Sequence, residues 1–167
     1  GRGAYYEKSG ALRDMVQNHV LQLVSMVAME PPISQDADEI RNKKVDVLKA
    51  IRRLRPEDVD QHAVRAQYDD GWIKGKKVCS YLSEKGVEEN SGTETYSAIK
   101  FNIDNWRWQD VPFYVRTGKR MADKCSVITL QLRTPPHRAF ARDGQQQREP
   151  NRIIINIQPD MGITVRF

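Results

Sequence analysis

The segment GALRDMVQNHVLQLVSMVAMEPP, residues 10–32, carries the longest apolar stretch of the chain and places one histidine inside it. On a helical projection of 100° per residue starting at Leu12, the side chains of Met15, Val16, His19, Val20, Leu23, Met26 and Val27 fall in a single apolar sector. That spacing predicts a long buried helix. It opens near Ser9, whose hydroxyl can cap the first turn, and stops at Pro31 and Pro32, which lack the amide proton and clash with the preceding turn. An imidazole among hydrocarbon side chains has two readings. Desolvation favours the neutral form that a general base needs, and a histidine titrates near physiological pH. Alternatively the ring is an ordinary core group bonded to a backbone carbonyl. Periodicity alone leaves both open.

Outward from this segment, a second helix is expected from about residue 36 to 53. Ile40, Val47, Leu48, Ile51 and Leu54 recur at helical spacing; Asp36, Asp38 and Glu39 sit at its positive end, and Arg52 and Arg53 at its negative end. From about Ala63 the period becomes two. Ile99, Phe101 and Ile103 alternate with Ala98, Lys100 and Asn102; Val127, Thr129 and Gln131 alternate with Ile128, Leu130 and Leu132; Ile153, Ile155 and Ile157 alternate with Ile154, Asn156 and Gln158. The link Pro159-Asp160-Met161-Gly162 reads as a hairpin turn, so its flanking strands are antiparallel. Helices succeeded by a run of strands indicate an α+β fold. Residues 69–77 and 142–150 read as loops, and no internal repeat is visible.

The 167 residues suffice for one partial domain, and a mean hydropathy of -0.68 leaves modest apolar material for its core. No secretory or membrane segment is expected, because the stretch from Val20 to Met29 is interrupted by Gln22 and Ser25 and is far shorter than the ~20 residues a bilayer needs. Cys79 and Cys125 are isolated, which indicates neither a disulfide framework nor a zinc site and fits a reducing cytoplasm. A formal charge of +5 raises nucleic acid as a partner, with Trp106 and Trp108 near Arg107, Arg116, Lys119 and Arg120. The basic residues are interleaved with acids and no nucleic-acid motif is present. A solvated surface is the better reading of this charge.

Three long segments carry a specific pattern: GRGAYYEKSGALRDMVQNHVLQLVSMVAMEPP at residues 1–32, DNWRWQDVPFYVRTGKRMADK at 104–124 and PNRIIINIQPDMGITVRF at 150–167, with TETYSAI at 93–99 between them. In this order they resemble the glucose-6-phosphate dehydrogenase family over nearly the whole chain. The resemblance implies a large, mainly antiparallel sheet with helices packed on one face. It implies that His19 is the general base taking the C1 hydroxyl proton of glucose 6-phosphate while hydride leaves C1 for NADP. Asp14 matches a substrate-contacting aspartate, Lys119 the lysine of the R-T-G-K element, Lys124 a second basic position and Gln158 a contact to substrate hydroxyls. Asp14 and His19 are five residues apart, hence about 140° around an α-helix, so a ligand touching both lies across the helix edge. Gly118 is expected to allow a tight turn after the VPFYVR strand. Arg13, Gln17 and Asn18 are expected to support the site, His62 and His137 to be ordinary, and Trp106, Trp108, Tyr5, Tyr6 and Phe113 to pack.

The family's glycine-rich dinucleotide turn and its D-H-Y-L-G-K segment do not occur here. The chain is therefore expected to be an internal piece of a larger enzyme, inactive alone, with NADP held mainly by the missing Rossmann part. Cys125 and Asn156 stand where some eukaryotic members use a lysine and an arginine for a structural NADP, so no such site is expected. The resemblance further implies a homodimer or tetramer assembled through the sheet. The competing reading is a non-catalytic sheet module that serves subunit assembly.

Overall fold

The computed structural model describes residues 2–134 and 149–167. His137 and nearly all of the loop expected at 142–150 lie outside the described residues. The chain divides into two compact units, Gly1–Arg120 and Met121–Phe167.

The first unit opens with helix α1, Arg2–Ala11, earlier than the expected start near Ser9. Ser9 is not a cap: its hydroxyl donates back to the Tyr5 carbonyl at 3.3 Å. The chain instead breaks at Gly10, where φ is 67° and ψ 179°, a conformation that costs glycine little. Beyond this break the winding changes. Leu12–Val20 is a π-helix, continued by α2, Leu21–Ala28. The amide of Leu21 donates to the Val16 carbonyl, five residues back, which is the π repeat. Because this segment winds less per residue than an α-helix, the buried face drifts from the projected sector. Val16, Val24, Ser25 and Ala28 are buried, whereas Met26 and His19 are exposed. The helix ends before Pro31, as expected.

Helix α3 spans Ala37–Ala50. Asp36 caps it, its carboxylate accepting from the Asp38 amide at 2.9 Å. The helix stops short of the expected limit because Ile51 forms a bridge with Ile103 and Arg52 pairs with Asp104 at 2.7 Å. Lys49, not Arg52 or Arg53, thus occupies the last turn. A short helix α4, Val59–His62, leads into strand β1, Ala63–Ala66. His62 Nδ1 meets the Asp58 carbonyl at 2.9 Å, an ordinary structural role.

Residues expected to form a loop after residue 69 instead make a hairpin, β2 (Gly71–Ile73) paired with β3 (Lys76–Val78). Lys74 and Gly75 at its tip both have positive φ, 48° and 77°, as a tight two-residue hairpin turn requires. Strands β4, Tyr96–Asn102, and β5, Pro112–Gly118, complete an antiparallel sheet in the order β1-β4-β5. Helices α2 and α3 cover one face of it. Val24, Ala28, Val47, Phe101 and Ile103 form the core, flanked by Val20, Ile99, Trp108 and Phe113. Trp108 Nε1 donates to the Ala28 carbonyl at 2.9 Å, closing the end of α2. Trp108, Phe113 and Tyr6 pack as expected; Trp106 and Tyr5 do not and are exposed.

The second unit is a three-stranded antiparallel sheet, β6 (Ser126–Gln131), β7 (Arg152–Gln158) and β8 (Gly162–Arg166), in sequence order. The hairpin expected at residues 159–162 joins β7 to β8, with Asn156 opposite Gly162. Among the described residues the expected antiparallel architecture is represented by two three-stranded sheets and the two-stranded β2–β3 pair. Every described strand pairing is antiparallel.

Candidate active site

The π-helix changes the relation between the two residues at its centre. With hydrogen bonds running from residue i to i−5, each residue advances less around the axis than in an α-helix. Asp14 and His19 are therefore closer in angle than the roughly 140° of an α-helix. π turns recur at functional sites because they bring such side chains together without breaking the helix. His19 is exposed, so the hydrocarbon setting inferred from periodicity is not found. Its ring is open to a ligand.

The π segment lies against β5, and this contact delivers Lys119, the residue after that strand. Lys119 Nζ is 3.5 Å from Asp14 Oδ2, with the two side chains 26% and 15% exposed. The same ammonium lies 4.8 Å from the centroid of the Tyr6 ring, where the negative ring face attracts it. Tyr5 donates from its hydroxyl to Asp14 Oδ1 at 3.1 Å. Each oxygen of Asp14 thus faces a donor. The hydrogen bond to Asp14, then its charge, hold the Tyr5 phenol above the ordinary value, which keeps it a donor. Burial, then the charges of Asp14, Glu94 and Tyr68, push the Tyr6 phenol up as well.

Lys119 owes its position to the backbone. Its amide donates to the Thr95 carbonyl at 2.9 Å. Gly118 does not make the expected turn: it is still in β5, opposite Tyr96, and the positive φ of 56° falls at Arg120. Arg120 is held there by Glu84 at 2.7 Å.

At the start of the π segment, Glu94 meets its first turn. The Ala11 amide donates to the Glu94 carbonyl at 2.9 Å and the Leu12 amide to the Glu94 carboxylate at 2.9 Å. Glu94, Tyr5 and Tyr6 were not among the expected site residues. The signal for Glu94 was the T-E-T pattern, an acid between two threonines ahead of a strand; for the tyrosines, it was their closeness in sequence to Asp14.

Lys124 and Gln158 belong to the second unit. Lys124 is exposed ahead of β6; Gln158 is exposed at the end of β7, its backbone opposite Ser126. Arg13, Gln17 and Asn18 are exposed on the π segment. Among the described residues no cluster of metal-ligating side chains occurs, no helix is long and apolar enough to cross a membrane, and both cysteines are free.

The chain matches, over residues 1–167, the family model described as glucose-6-phosphate dehydrogenase, C-terminal domain. It belongs to this family. The glucose-6-phosphate 1-dehydrogenase of Bacillus subtilis is 49% identical over 98% of the chain and 33% of its own length, and that of Dickeya dadantii 45% identical over 100% and 34%. The chain therefore spans about a third of these relatives. Among solved structures, glucose-6-phosphate 1-dehydrogenase from Mycobacterium avium superposes with a TM-score of 0.82 at 39% identity, covering 100% of this chain and 34% of that one. A glucose-6-phosphate dehydrogenase in complex with its substrate glucose-6-phosphate gives 0.80 at 36%, covering 98% and 31%. The α+β architecture with antiparallel sheets is thus that of the C-terminal part of glucose-6-phosphate dehydrogenase.

Proposed function

We propose that this chain is the substrate-binding and catalytic-base portion of a glucose-6-phosphate 1-dehydrogenase, which oxidises glucose 6-phosphate to 6-phosphoglucono-lactone in the oxidative pentose phosphate pathway. The observation that carries the reading is the Asp14–Lys119 pair at 3.5 Å, with an exposed His19 on the same π segment as Asp14. Asp14 accepts hydrogen bonds from sugar hydroxyls, and Lys119 donates to sugar oxygens. His19 takes the proton of the C1 hydroxyl, the electrons of that O–H bond form the lactone carbonyl, and the hydrogen on C1 departs as hydride. Lys124 and Gln158 are assigned as further substrate contacts. With Asp14, His19 and Lys119 assigned to a small polar ligand, nucleic acid has no place in this reading.

NADP supplies the hydride acceptor. Among the described residues the strand pairings are antiparallel and include no parallel strand, glycine turn and helix of the kind that holds a dinucleotide; its binding is assigned to a separate part of a longer protein. In that account residues 1–167 are one partial domain, inactive alone, of a cytoplasmic enzyme that assembles as a homodimer or tetramer. No structural NADP is assigned to Cys125 and Asn156. A purely assembling role would leave the pairing of Asp14 with Lys119 beside an open imidazole without a purpose. In the full-length parent, His19→Asn should lower kcat by ~10²–10⁴-fold with little change in substrate binding. An unchanged turnover number would reject the base assignment.

A further inference from the structure

Both halves of the substrate site hang on the tripeptide Thr93-Glu94-Thr95. Toward the π-helix, the Glu94 carbonyl and carboxylate take the amides of Ala11 and Leu12, each at 2.9 Å. The first amides of a helical segment have no partners within it, so these two bonds fix where the segment begins. Toward β5, the Thr95 carbonyl takes the amide of Lys119 at 2.9 Å. The tripeptide is itself pinned: the Thr95 amide donates to the Ala66 carbonyl at 2.9 Å, and the Gln67 side-chain amide donates to the carbonyls of Ser91 and Thr93 at 2.7 and 2.8 Å. Thr93 Oγ1 donates to the Glu7 carbonyl at 3.2 Å. Gly10 completes the seat. A Cβ built there would lie 2.6 Å from Glu94 Oε1 and 2.9 Å from Cδ, so a side chain at this position, already disfavoured by the φ of 67°, would push the carboxylate aside.

We propose that Glu94 is a positioning residue for substrate binding: by holding the Leu12 amide while its neighbour Thr95 holds that of Lys119, it sets Asp14 and Lys119 at the separation the sugar needs. This rests on the assignment of Asp14 and Lys119 to the substrate. Asp14 lies two residues beyond Leu12, inside the same hydrogen-bonded turn, so displacement of Leu12 is passed to its carboxylate. Binding constellations tolerate about 0.5 Å of error. The requirement is for an acceptor, not for a charge, because the partner is a backbone N–H.

The test uses steady-state kinetics of the full-length parent with glucose 6-phosphate. Glu94→Ala should raise KM roughly tenfold while kcat changes far less, since His19 chemistry is not touched. Glu94→Gln keeps a side-chain oxygen for the Leu12 amide and should bring KM back to within about twofold of the parent. Gly10→Ala should reproduce the KM of Glu94→Ala and add little to it in the double variant, as coupled neighbours do. If Glu94→Ala fails to fold, Glu94→Asp, with its carboxylate withdrawn by one methylene, carries the same KM expectation. A lower melting temperature with an unchanged KM would reduce Glu94 to a structural cap and overturn the proposal, as would a Glu94→Gln variant no better than Glu94→Ala. Asp14→Asn is the control. If it raises KM and Glu94→Ala does not, positioning fails while the substrate site stands; if it too leaves KM unchanged, the substrate reading falls and this proposal with it.

Discussion

Tyr6 and Tyr81 are each 2% exposed and sit in one cluster with Ala11, beside the point where the site begins. Burial is the main force pushing both phenols up, helped at Tyr81 by its 2.8 Å hydrogen bond to Glu7 and by that carboxylate's charge. A phenol raised in the folded state contributes stability that is complete below the unfolded value of about 10 and is lost as pH rises through the folded one. Titration monitored by tyrosinate absorbance should show Tyr6 and Tyr81 among the last tyrosines to ionise, with thermal stability falling as pH rises above about 10. Titration of both together with exposed tyrosines would contradict this. At this scale a long motif, not periodicity, singled out Asp14, His19 and Lys119 as candidates, and the fold brings Asp14 and Lys119 to 3.5 Å. Periodicity misplaced His19 in the core, because it assumes a fixed angle per residue that the π segment does not keep.

Among the elements, α3 was legible in both its composition and its start. Its apolar spacing and the acids at its positive end agree with Ala37–Ala50, and Asp36 supplies the cap. Asp36→Ala should cost about 1 kcal/mol, read as a lower melting temperature with unchanged substrate KM; no change in melting would mean the cap contributes nothing. The π-helix was not legible, since the same side chains satisfy a repeat of four or five and the choice between them is made by tertiary contacts, here Glu94 at one end and β5 along the flank. The β2–β3 hairpin was missed for a different reason. Its strands are three residues each, and Trp72, its largest apolar side chain, is 72% exposed, so neither alternation nor burial marks them.

For the molecule as a whole, antiparallel α+β architecture came from the switch of period near Ala63, but alternation reports which face of a strand is covered, not which sheet it joins. The division at Arg120 therefore had no sequence signal. In the unit Met121–Phe167, strand β8 is exposed throughout, with Ile163 at 71% and Val165 at 48%. An uncovered apolar edge strand invites pairing with another chain. The 167-residue chain on its own should accordingly sediment above monomer mass at micromolar concentration, and Ile163→Lys with Val165→Lys should return it to monomer; monomeric behaviour of the unsubstituted chain would refute this. Asp14 and Lys119 meet at 3.5 Å although more than a hundred positions separate them along the chain. No short peptide excised from this sequence can reproduce the pair, and on the ribosome the aspartate is made more than a hundred residues before its lysine.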